Sequence, residues 1–158
     1  MTLTDSERFA AYGSDLAAAV EQAVPGWIRR AVYWHLGDRV ADESFDREAL
    51  DRRLDDIGQA AAGNIGGRLR QLLQRDVDEQ WTNPLSIIRS VVHYPTEILN
   101  DYNVPGPDRW IEHVRMFPND TYDLTPANFA AFGDDVHQCG IRWGAAKAHI
   151  HLQRHKKS

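Results

Sequence analysis

The chain has 158 residues, a formal net charge of −5 and a pI near 5.8. Its 42% hydrophobic and 26% charged residues are the proportions of an ordinary globular domain. The acidic balance argues against general nucleic-acid binding, which leaves a basic footprint. No apolar run approaches the roughly 18 residues that span a membrane, so no membrane partner is expected.

That length fits one helical domain over 1–158, with 1–5 and 155–158 frayed, and can bury roughly 70% of the unfolded surface. The single cysteine, Cys139, excludes an intramolecular disulfide framework and reads as small packing filler. It fits a reducing compartment. The start, Met1 to Arg8, is polar and acidic rather than signal-like, so cytoplasm is the expected location. Arginine outnumbers lysine 15 to 3, a bias typical of a GC-rich bacterial genome.

The periodicity is helical nearly throughout, with no period-2 strand, and predicts an all-α fold. It is a bundle of four or five main helices with an irregular, proline-rich excursion between about 103 and 141. Thr4 or Asp5 caps a first helix of about 20 residues bearing Phe9, Leu16, Ala19, Val20 and Ala23. Pro25-Gly26 breaks it, and a second helix runs to about Val40. Val24, Ile28, Ala31, Val32 and His35 form one stripe there. Trp27 and Trp34, seven apart, widen it, as a central or interface helix requires.

Asp46 opens the longest pattern. Leu50, Leu54, Ile57, Ala61, Ile65, Leu69 and Leu72 follow steps of three and four, and the seam fades at Asp76. Ala60 to Gly67 is rich in small residues, which would let a helix or ligand approach closely. The stretch is either one long helix with a weak middle or two stacked helices. It is not a phosphate loop, because no strand precedes it and no Gly-Lys-Ser/Thr follows.

Asn83 caps the next helix, with Pro84 at its first position. Helical spacing continues through Pro95, predicting a kink near His93. Val104 to Pro107 stops it. Short helices follow around Trp110 and Phe129, and a last helix spans about Arg142–Arg154. Ile141, Ala145, Ala148 and Leu152 share one of its faces.

Residues 93–126 hold five of the seven prolines, interleaved with aromatic and ionisable groups. Proline fixes φ, so such a stretch can present side chains in one geometry without regular structure. Tyr94, Tyr102, Arg109, Trp110, Arg115 and Tyr122 have the composition of an interface hot spot, and Trp27 and Trp34 add to it. Arg29, Arg30 and Tyr33 sit opposite the apolar stripe, either solvated or as a small contact patch.

His93 and Glu97 are four apart, and Glu112 and His113 follow the Pro-Gly-Pro turn. Two imidazoles and two carboxylates suit zinc, iron or manganese. The spacing matches no His-Glu-x-x-His and no paired Glu-x-x-His. The same residues also read as kink packing and solvated acids, and no cofactor is expected. His149, His151 and His155 lie on the last helix with no carboxylate nearby in sequence. Asp134 and His137 read as helix-start charge and a surface histidine. No Gly-x-Ser-x-Gly occurs, so nucleophilic catalysis finds no motif.

Three functional expectations follow. The first is a non-catalytic helical module binding another protein or a second copy of itself, with an exposed apolar patch above roughly 400 Å². The second is a metal-dependent or acid–base enzyme centred on His93, Glu97, Glu112 and His113. The third is nucleic-acid or phosphate binding by the basic C-terminal helix. It needs Arg142, Lys147 and Arg154 on one face, joined by Arg109 or Arg115.

Overall fold

The computed structural model describes residues 2–75, 84–105 and 134–155. These residues are all helix, turn and coil, and their core is one continuous apolar cluster. The expected short helices around Trp110 and Phe129 lie outside the described residues.

Helix α1 spans Asp5–Leu36. Thr4 caps it: its hydroxyl accepts from the Glu7 N–H and donates to the Glu7 carboxylate. The expected break at Pro25 does not occur, and the first two predicted helices are one. An internal proline costs about 3 kcal/mol in an isolated helix. Here a continuous buried stripe outweighs it. Phe9, Leu16, Ala17 and Val20 precede Pro25, and Val24, Trp27, Ile28, Val32 and Leu36 carry the stripe past it. Breaking the helix would uncover half of that stripe.

The proline ring also has a dedicated seat. A Cβ on Gly58 would stand 3.0 Å from Pro25 Cβ, so only glycine lets the two backbones approach there. Gly37 ends α1 at φ 56° and ψ −129°, a conformation that strains any residue with a Cβ. A 3₁₀ turn over Gly37–Ala41 follows.

Helix α2 spans Arg47–Leu73 and is one helix, not two. Asp46 caps it by accepting from the Ala49 N–H at 3.1 Å. It runs antiparallel to α1, since Asp51 meets Arg29, Gly58 meets Pro25 and Arg70 meets Glu21. The close approach expected of the small residues is made by α1. Gly66 lies under the Glu21 side chain, while Gly63 and Gly67 face open space.

Helix α3 (Pro84–Arg89), a 3₁₀ turn (Ser90–Val92) and helix α4 (His93–Asn100) follow one another without a break. The expected bend at His93 is this change of helical pitch, and Pro95 falls in the first turn of α4, where its missing N–H costs little. Thr96 is buried and donates its hydroxyl to the Val92 carbonyl at 2.9 Å. The end of α4 is a Schellman motif. Val104 N–H reaches the Leu99 carbonyl, Asn103 N–H reaches the Asn100 carbonyl, and Asn103 takes φ 58°.

Helix α5 spans Asp134–His155, beginning eight residues before the expected start. It lies antiparallel on the N-terminal half of α1. Its buried face is Val136, Cys139, Trp143 and Ile150. The face picked from sequence turns outward instead: Ala145, Ala148 and Leu152 are exposed. Trp143 decides the rotation. It is fully buried and stacks on Phe9 with ring centroids 5.8 Å apart. A Cβ on Gly13 would touch both Leu73 and Trp143.

Candidate functional site

The surface is best read from α1, the helix that the other long helices pack against. Its C-terminal half is tied to α2 by a polar cluster. Asp51 Oδ1 accepts from the Tyr33 hydroxyl at 2.7 Å and from Arg29 at 2.9 Å, and Arg29 reaches Asp55 at 3.2 Å. The Tyr33 hydroxyl, then Arg29, holds the Asp51 carboxyl below its usual range. The same hydrogen bond, with burial, raises the Tyr33 phenol. Arg29 and Tyr33 are therefore an interhelical tie, and of the trio with Arg30 only Arg30 is exposed.

Trp34 stands on this half with 83% of its surface exposed. Tryptophan is among the most buried residue types on average, so this is anomalous. Arg30, one helical turn before it, and Asp38, just past the end of the helix at Gly37, are exposed as well. Trp27 is only 6% exposed and belongs to the core. The pair expected to widen one stripe is split, because about 10 Å of helix axis separates covered from uncovered surface.

The opening of the proline-framed segment is anchored beside this half. Tyr102 stacks on Phe45 at 5.4 Å, its carbonyl accepts from Arg39 at 2.7 Å, and Asp101 pairs with Arg53. Tyr94 and Tyr102 are half-buried against the core. Arg109, Trp110, Arg115 and Tyr122 lie outside the described residues.

His93 and Glu97 are both exposed on α4. Glu112 and His113, the other expected ligands, lie outside the described residues. Among the described residues no three His, Cys, Asp or Glu side chains gather as a metal centre would need. At the start of α5, His137 is half-buried, and its Nδ1 has no hydrogen-bond partner among the described residues.

No protein-family model, curated protein or solved structure matches this chain.

Arg142 and Lys147, expected on one face of the last helix, do not share one. At 100° per residue, Arg142 and Lys147 point about 140° apart. Lys147 is instead half-buried over the Trp143 ring at 5.1 Å, and burial lowers its pKa. No helix among the described residues is long and apolar enough to cross a membrane.

The structure does assemble one group that sequence reasoning missed. Asp5, Arg8 and Tyr12 on α1 face Arg142, Ala145, Ala146, His149 and Ile150 on α5 across a cleft of about 270 Å³. His149 Nε2 lies 3.3 Å from Asp5 Oδ2. Its carboxylate partner comes from 144 positions away, so nothing near His149 in sequence signals the pair. A second groove alongside it is lined by Asp15, Gln22, Asp135, Gln138, Cys139 and Arg142.

Proposed function

We propose that the protein is a non-catalytic helical binding module that docks a partner protein through a small surface centred on Trp34. The observation that carries the reading is the 83% exposure of that indole on a helix whose other large apolar residues are buried. Aromatic anchors ringed by polar groups are typical of interface hot spots, and Arg30 and Asp38 supply such a ring. A lone anchor with charged neighbours suits a transient contact rather than an obligate homodimer, whose interface is larger and more apolar. The anchored start of the proline-framed segment, with Tyr102 beside Phe45, extends the same end of the molecule. The setting we propose is the cytoplasm of a bacterium, on the grounds of the lone cysteine and the arginine-rich composition.

The test places a photo-crosslinking amino acid at position 34 in producing cells, with Glu48 substituted likewise as a control. The expected result is one discrete heavier adduct from position 34 and none from position 48. An adduct at the mass of two copies would replace the foreign partner by self-association. Absence of any adduct specific to position 34 would overturn the reading.

A further inference from the structure

We propose that the cleft between the N-terminal end of α1 and the C-terminal half of α5 binds a small monocarboxylate with an apolar body. The cleft is far from Trp34: the 26 residues from Arg8 to Trp34 span about 40 Å of helix. It therefore stands or falls independently of the docking surface.

Four features converge on this ligand class. The first is unsatisfied donors. Among the described residues the Arg8 guanidinium and the Tyr12 hydroxyl meet no acceptor, and Arg142 reaches only the Cys139 sulfur at 3.4 Å. Three donors line one cleft whose carboxylate, Asp5, sits against His149, and they are arranged for an acceptor-rich guest. The second is charge. The formal charges of Arg8 and Arg142 against Asp5 sum to one net positive charge, the complement of a single carboxylate. A planar guanidinium fork matches a carboxylate in bidentate fashion.

The third feature is the shape of the floor. Ala146 stands where a longer side chain would fill the space between the helices, and Ile150 is buried beside it. The Tyr12 ring completes an apolar wall. Small-molecule sites pair such walls with a few placed polar groups. The fourth is rigidity. Each side of the cleft is a stripe of one long helix, Asp5, Arg8 and Tyr12 on α1 and Arg142, Ala146 and His149 on α5. The stacked Phe9 and Trp143 lock the two helices together within this stretch. The Asp5–His149 pair closes one end and keeps the imidazole oriented across the opening.

The other candidates on the molecule carry less. The groove beside Cys139 holds two aspartates against one arginine, and Arg142 is shared with the cleft. The Arg29–Tyr33–Asp51 cluster satisfies its own donors internally. The exposed His93 and Glu97 pair lacks a third ligand among the described residues.

Full-length protein is titrated with benzoate, with its neutral isostere benzamide and with inorganic phosphate, each followed by NMR of the Tyr12 and His149 side chains. Benzoate should shift both saturably. Benzamide should not, and phosphate should bind at least tenfold more weakly for want of an apolar body. Arg8→Gln and Arg142→Gln, both exposed positions, should each weaken benzoate at least tenfold. Ala146→Leu should abolish binding by filling the cleft with every charge in place. Trp34→Ala should leave it unchanged. Equal binding of benzoate and benzamide, stronger binding of phosphate, or unaltered binding in Ala146→Leu would overturn the assignment. So would a lack of saturable shifts with all three probes in protein whose melting curve is native.

Discussion

The two halves of α1 are built from similar residues but meet different surroundings. The N-terminal half is gripped from two sides. Gly13 lets α2 and α5 close on it, Phe9 stacks on Trp143, and Glu21 pairs with Arg70. The C-terminal half is tied to α2 through Pro25 on Gly58 and through Arg29 and Tyr33 on Asp51. It leaves Trp34 outside. Trp143 is clamped against the first half, whereas of the two tryptophans on the second half Trp27 is buried and Trp34 is not. An indole clamped between helices is structural. An indole left in water is either a liability or a contact.

The sharpest test of this contrast is a pair of truncations. Trp143→Ala should cost about 3–5 kcal/mol in urea-unfolding free energy, the range for large buried aromatics. Trp34→Ala should change it by less than about 0.5 kcal/mol. Similar losses for the two would mean that Trp34 is covered in solution.

Glycines sharpen it next. At Gly13 a methyl would stand 3.1 Å from Leu73 Cβ and 3.3 Å from its carbonyl oxygen, and a backbone atom cannot step aside. Gly13→Ala should therefore destabilise by about 1–2 kcal/mol, overpacking outweighing the helix propensity gained. Gly67 faces nothing within 4 Å, so Gly67→Ala should stabilise by up to about 1 kcal/mol. Chemical denaturation of both variants reads the two signs directly.

A smaller effect concerns Gly66, whose missing Cβ gives the Glu21 side chain its path to Arg70. Gly66→Ala should be neutral or unfavourable in the native background. In a Glu21→Ala background it should stabilise by about 0.5–1 kcal/mol, because the obstruction is gone. A double-mutant cycle with no coupling would refute this.

The smallest effect is electrostatic. Arg70 lowers the folded-state pKa of Glu21, and Tyr33 with Arg29 lowers that of Asp51. A carboxyl whose pKa falls on folding adds stability that is complete above the unfolded value, about 4, and is lost as pH drops through the folded value. Both groups are partly exposed, so solvent screens much of the gain. Stability should thus decline below about pH 4, and Glu21→Gln with Asp51→Asn should flatten that acid limb in pH-dependent unfolding curves.

Much of the fold could be read from local pattern. Thr4 and Asp46 announce helix starts because a capping side chain needs only the three residues after it. The seam from Leu50 to Leu72 announces α2 because its apolar spacing survives every glycine. Pro25 misled, since its local penalty is visible in sequence while the stripe that outweighs it gains its energy only against α2, α4 and α5. The face of α5 misled for the same reason. Alanines at 145 and 148 look as apolar as Val136 and Ile150, and only the Phe9–Trp143 stack fixes the rotation. Of the site residues, Trp34 is legible from its spacing to Trp27 and its residue type, although its exposure is not. Arg8, Tyr12, Arg142 and His149 were not grouped, because they gather from opposite ends of the chain.

Local pattern is enough for a helical chain, its capped starts and the long amphipathic α2, all set by interactions within one or two turns. Tertiary structure decided that α1 continues through Pro25, which tryptophans are buried, and that an arginine-lined cleft opens between the first and last helices. Those outcomes depend on apolar area and charge brought together from distant positions, Pro25 with Gly58 and Phe9 with Trp143, and no short window of sequence contains both partners.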